Sequence, residues 1–70
     1  MIRTLVHSSN LRSIGHDLSS NVLEIEFQDG HVYQYLSVDA FTFAALMGAS
    51  SKGSYFHERV KDRYVCRRVT

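Results

Sequence analysis

The sequence predicts an α+β fold, a small mainly antiparallel sheet of about four strands with two consecutive helices on one face. Three observations point there. Residues 22–28, VLEIEFQ, alternate apolar and polar side chains and run straight into an Asp-Gly turn. Residues 38–48 and the stretch after SSKGS carry helical spacing back to back. Strand-like segments precede the helices and do not alternate with them, which is the order of an α+β chain and not of a parallel α/β one.

Taken in order, RTLVH (3–7) is a short β-rich segment. LRSIGHDLSSN (11–21) alternates, placing Ile14, His16 and Leu18 on one face before a Ser-Ser-Asn turn. VLEIEFQ is the clearest strand, with Leu23, Ile25 and Phe27 on one side and Glu24, Glu26 and Gln28 on the other. Asp29-Gly30 then turns the chain into HVYQYL as a hairpin. Its register decides where Tyr33 and Tyr35 point, because a slip of one residue moves every side chain to the other face. A two-residue loop pairs Gln28 with His31 and leaves both tyrosines over the glutamates, in water. A three-residue loop, closed by Gly30 in a left-handed bulge, pairs Phe27 with His31 and turns the tyrosines inward beside Ile25 and Leu23. The second is favoured, since it removes Gln34 from the buried face.

After the hairpin, Ser37 is the expected N-cap and Asp39 a first-turn carboxylate of a helix over 38–48 that ends at Gly48. Phe41, Ala44 and Ala45 share one side of it and Phe43, Leu46 and Met47 another, so this helix must be covered on two sides by its own chain or by a partner. The second helix starts within SSKGS. Its expected wet face is His57, Glu58, Lys61 and Asp62, and its dry face Tyr55, Phe56 and Val60, with Arg59 and Arg63 at the margin. YVCRRV closes the chain as a short strand, with Cys66 expected as a small buried hydrophobe.

Seventy residues, 44% of them apolar and none proline, make one domain spanning 1–70, near the lower size limit for a single core. No apolar run approaches the ~18–20 residues of a membrane span, and MIRTLVHSSN has no signal-like apolar core. A single cysteine excludes an internal disulfide. A cytoplasmic protein without membrane association is expected. The net charge of +1 conceals an asymmetry: residues 1–58 hold Arg3, Arg12 and Lys52 against six carboxylates, whereas 59–68 hold Arg59, Lys61, Arg63, Arg67 and Arg68 against Asp62. Such a cluster suits either an anionic partner or a solvated helix end.

Catalytic patterns are weak. GASSKGS (48–54) has the composition of a phosphate loop but not its order, and reads better as a helix–helix turn with serine caps. The four histidines, His7, His16, His31 and His57, show no paired ligand spacing, so no metal, cofactor or catalytic residue is expected.

The blocks SSNLRSIGHD, LEIEFQDGHVYQYLSV and SSKGSYFHERVKDRY together resemble the KTSC domain, a small domain found at the C-terminus of some lysyl-tRNA synthetases and as a stand-alone bacterial protein. The family's Tyr-x-Tyr falls on Tyr33 and Tyr35, and its Ser-Lys-Gly-x-Tyr-Phe block on Ser51, Lys52, Gly53, Tyr55 and Phe56; His16 stands where the family often has tyrosine. The synthetase context implies RNA or tRNA as a partner. The expected function is therefore a non-catalytic RNA-binding accessory module. Lys52, Arg59, Lys61, Arg63, Arg67 and Arg68 would meet phosphates, and Tyr33 and Tyr35 would stack on bases if the two-residue register holds. The alternative is a protein-interaction or self-association module, a homodimer or a complex with another protein formed through helix 38–48.

Overall fold

The computed structural model describes the whole chain from Met1 to Thr70. Its hairpin register follows from Phe27. The Phe27 N–H donates to the His31 carbonyl and the Phe27 carbonyl accepts from the Gly30 N–H, both at 2.9 Å. These bonds close the three-residue loop 28–30, with Gly30 at φ 90°, a conformation that glycine adopts without a Cβ penalty. Strand β3 (Val22–Phe27) thus pairs with β4 (Val32–Tyr35) so that Leu23 opposes Tyr35 and Ile25 opposes Tyr33. The tyrosines face inward with the aliphatic row.

The sheet is a five-stranded antiparallel meander, one strand more than expected, in the order β1 (Arg3–Leu5), β2 (Leu11–Asp17), β3, β4, β5 (Cys66–Arg68). On β2 the register slips between Leu11 and Ser13, because Leu11 opposes Phe27 while Ser13 opposes Glu26. The extra residue, Arg12, is extruded to solvent, and this bulge lets Leu11 and Ile14 share the inner face although their spacing is odd. Leu18 does not join Ile14 and His16, since β2 ends at Asp17 and Leu18 sits exposed in the following turn.

The helical hairpin, α1 (Ala40–Gly48) and α2 (Lys52–Arg59), covers the inner face. Leu11, Ile14, Leu23, Ile25, Val38, Leu46 and Val60 are wholly buried, with Tyr35 and Phe56 nearly so. Full burial of one such aliphatic side chain stabilises by about 1.5–3 kcal/mol, which makes this the main folding term. The N-cap of α1 is Asp39 and not Ser37: Asp39 Oδ1 accepts from the Thr42 N–H at 2.8 Å, while Ser37 has φ 61° and serves the preceding turn. The α1–α2 turn carries the expected serine cap, Ser51 Oγ accepting from the Ser54 N–H at 3.3 Å.

Helix α1 is covered by its own chain on two sides. Leu46 lies in the core, and Phe43 stacks on the His16 ring at 5.0 Å and 12°. His16 Nε2 donates to the Val38 carbonyl at 2.7 Å, which fixes the imidazole and lets it fill an aromatic role. Phe41 alone among the larger α1 side chains is left bare, 82% exposed.

Candidate nucleic-acid interface

At the hairpin end of the inner face the helices stop short of covering the sheet. Phe27 meets Tyr33 edge-on at 5.7 Å and Phe56 at 5.4 Å, and Phe56 in turn meets Tyr35 at 5.5 Å. These four rings floor an open cavity of about 600 Å³. That volume lies in the range of small-ligand sites. Because α2 ends at Arg59, the turn after it brings Lys61 and Asp62 to one wall, and β5 supplies Cys66 opposite Tyr35. Asn10, Gln28 and Asp29 form a polar edge. Burial pushes the Tyr35 phenol up to about 12, with nearby Cys66 and Tyr33 adding to the shift, so this ring stays neutral.

A second, wholly polar cavity of about 400 Å³ adjoins the first and shares Asn10 and His57 with it. Five serines, His7, Lys52 and Glu58 are among its lining. Lys52 Nζ donates to the Ala49 carbonyl at 3.1 Å, so its ammonium is held at the helix–helix turn.

The basic residues expected to form one surface are divided. Lys61 lines the aromatic cavity. Arg68 opposes Tyr33 on the same face, where its guanidinium donates to the Thr70 backbone oxygen at 2.6 Å and to His31 Nδ1 at 2.8 Å. Arg67 points to the opposite face and donates to Gln34 Oε1 at 2.9 Å. Arg63 Nε donates to the Glu58 carbonyl, and Arg59 is exposed on α2. The three-residue register fails the condition for both tyrosines to stack on bases from an open sheet face: Tyr35, only 6% exposed, is a core residue, and Tyr33 faces inward, half-buried, where it lines the cavity. Cys66 is exposed and not buried, because β5 is an edge strand beyond the reach of the helices. Phe27, Phe56, Asn10, Gln28 and Asp29 were absent from the expected site. The three-residue register was the signal for Phe27, since it places that ring one pair from Tyr33.

The outer sheet face is self-paired. Arg3 Nη1 bonds Glu24 Oε2, Gln34 Nε2 donates to Glu24 Oε1 at 2.8 Å, and Arg3 Nε donates to Ser13 Oγ at 3.0 Å. Ser13 Oγ donates to Glu26 Oε1 at 2.8 Å, and Arg12 lies 3.6 Å from the same oxygen. Burial disfavours the charged form of Glu24, but the bonds from Gln34 and Arg3 and the Arg3 charge outweigh it and hold its carboxyl below the usual range. No group of three or more His, Cys, Asp or Glu side chains is placed to hold a metal ion, and no helix is long and apolar enough to cross a membrane.

This architecture defines a class, an antiparallel meander covered on one face by a helical hairpin that leaves an aromatic cavity at one end. Residues 7–64 match the KTSC domain, and the chain belongs to the KTSC domain family. The crystal structure of a KTSC domain protein from Yersinia pestis superposes with a TM-score of 0.94 at 38% identity, covering 99% of this chain and 97% of that one. An uncharacterized protein of Stutzerimonas stutzeri is 38% identical over 64 residues, 91% of this chain and 90% of its own length. A lysine–tRNA ligase of Trichormus variabilis is 32% identical over 56 residues; the match takes in 80% of this chain but about a tenth of the ligase.

Proposed function

We propose that this domain is an RNA-binding accessory module that seats an unpaired base in the aromatic cavity. The observation carrying this reading is that cavity: half-buried Tyr33 lining it beside Phe27 and Phe56, with Lys61 on the wall and Arg68 beside Tyr33. Neither cation is bridged to an Asp or Glu side chain; Lys61 is available to a phosphate, and Arg68 reaches one by exchanging its bonds to the Thr70 backbone oxygen and His31. Unstacked bases on aromatic side chains, with cations tracking the backbone, are how single-stranded RNA is held. Similarity to part of a lysine–tRNA ligase supports the same partner class.

The test is a titration of labelled single-stranded RNA at two salt concentrations. Two phosphate contacts give a log–log slope of about −1.4, or about sevenfold weaker binding between 50 and 200 mM salt. Lys61→Ala/Arg68→Ala abolishes most of that slope, whereas Arg67→Ala, on the other face, leaves binding unchanged. Tyr33→Leu costs about tenfold, within the range for loss of one stacked base. Undetectable binding at low salt, or equal binding by the folded double variant, refutes the reading. Self-association through α1 is the second reading, favoured by the bare Phe41 ring. Sedimentation of wild type and Phe41→Ser at high concentration tests it, and a monomer in both removes it.

A further inference from the structure

We infer that the base seated in the aromatic cavity is guanine, read by the Gln28–Asp29 edge of the hairpin loop. This rests on the RNA reading above and gives it a base preference. Stacking on Phe27, Tyr33 and Phe56 accepts any base, so a preference must come from the cavity's polar edge. That edge is rich in acceptors. Gln28 Nε2 donates to the Ser8 carbonyl at 3.0 Å and to the Leu11 carbonyl at 3.2 Å, which uses both amide hydrogens and leaves Oε1, an acceptor. Asp29 is acceptor-only when ionised, and its Oδ1 takes the His31 N–H at 3.0 Å, leaving Oδ2 for a ligand. Asp62 adds a second carboxylate to the lining.

Base edges differ in what they offer such a site. Guanine presents N1–H and its 2-amino group side by side, a pair of donors that a carboxylate and a neighbouring carbonyl oxygen can both engage. Adenine and cytosine set one amino group next to a ring-nitrogen lone pair, which the carboxylate repels. Uracil offers one N–H between two carbonyl oxygens. Only guanine satisfies the acceptors without placing an unpaired acceptor against them, and the side-chain amide of Asn10 is left to serve its O6.

The experiment uses fluorescence anisotropy with five labelled pentauridine-based RNAs that differ only in the central base: G, A, C, U or inosine. Because Asp29 is exposed, the expected preference is the lower part of the range for a paired-donor contact: guanine binds about five- to tenfold more tightly than the others. Inosine, which lacks the 2-amino group, loses most of that gain. Asp29→Asn keeps an Oδ1 to accept the His31 N–H, so the loop is preserved; it removes the guanine preference, read as the ratio of guanine to all-uridine RNA affinity within that variant. Equal binding of all five RNAs by wild type overturns the guanine assignment while the RNA reading stands. Binding of none overturns both. Loss of the preference in Asp62→Asn but not in Asp29→Asn overturns the assignment to the hairpin loop.

Discussion

Gly15→Ala isolates the device that ties the first strand to the sheet. Gly15 sits between Arg3 on β1 and Glu24 on β3 in the cross-strand register, and the Arg3 side chain lies over it to reach Glu24. A Cβ built there meets the Ile2 carbonyl at 2.6 Å and Arg3 Cγ at 3.0 Å. The first contact is with backbone, so β1 must shift. Forced overpacking costs about 1–3 kcal/mol. Displacing Arg3 also strips Glu24 of its guanidinium; the pair is partly solvated, with Arg3 30% exposed, so its loss counts for about 1–2 kcal/mol and not the several of a fully buried pair. Against these, alanine reduces the entropy of the unfolded chain by about 0.4–1 kcal/mol. The net expectation is a loss of about 2–3 kcal/mol in urea denaturation at pH 7, a Tm drop of about 10–20 °C in a domain of this size.

The pH dependence separates the two costs. The folded-state pKa of Glu24 is depressed, so its stabilisation is full above the unfolded carboxylate value and fades as pH falls through the folded one. The gap between wild type and Gly15→Ala therefore narrows at low pH by the ion-pair share, and the steric share persists. A variant within about 0.5 kcal/mol of wild type at pH 7 would mean that neither the clash nor the lost ion pair destabilises the fold, since that is the range of inert surface changes.

Tyr35→Ala should cost about 3–5 kcal/mol as a buried aromatic truncation, and half-buried Tyr33→Ala clearly less, both read by urea denaturation. In an absorbance titration at 295 nm Tyr35 ionises only near pH 12; its contribution to stability is full below about pH 10, the unfolded value, and is lost as pH rises toward 12. Asp39→Ala should lose about 1 kcal/mol with its cap, while Ser37→Gly should gain about 0.4–1 kcal/mol because Ser37 holds φ 61°. Cys66 should react with Ellman's reagent in the native protein at the rate of an exposed thiol; a need for denaturant would contradict its exposure.

Local signals made most of the fold legible. Alternation in VLEIEF and the position of Gly30 were enough to favour the register, because a glycine at φ 90° and a Gln34 kept off the buried face both follow from the three-residue loop. What escaped had several causes. Leu18 looked like a continuation of the Ile14–His16 face, but the Asp17 carboxylate accepts from the Ser19 N–H and ends β2 one residue earlier, a local turn that the alternation masked. Ser37 and Asp39 are both good caps by type, and the choice fell to Asp39 because Val38 must drop into the core, its N–H on the Asn21 carbonyl. Cys66 has a buried residue's composition, yet exposure is set by how far α2 extends, a tertiary fact. For the site, the sequence supplied Lys61, Arg68 and Tyr33 but not their neighbours Phe27 and Phe56, which are brought together across two elements.

The C-terminal basic run shows why a charge cluster in sequence is not a charged surface. Strand alternation sends Arg67 to the outer face and Arg68 to the inner one. On the outer face Arg67 joins Arg3 and Arg12, and Glu24, Glu26 and Gln34 bind all three from within the sheet. That face spends its charge on holding five short strands in register, and an anion approaching it must compete with two fixed carboxylates. On the inner face Lys61 and Arg68 have no Asp or Glu side chain bridged to them, and they stand beside rings that the helices leave uncovered. Three guanidiniums meet two carboxylates on the outer face, whereas Lys61 and Arg68 share the cavity end of the inner face with Asp29 and Asp62, so neither face carries a large net charge. The weak salt dependence expected for two contacts is the signature of that division; a slope demanding five or six contacts would mean that the outer network opens on binding.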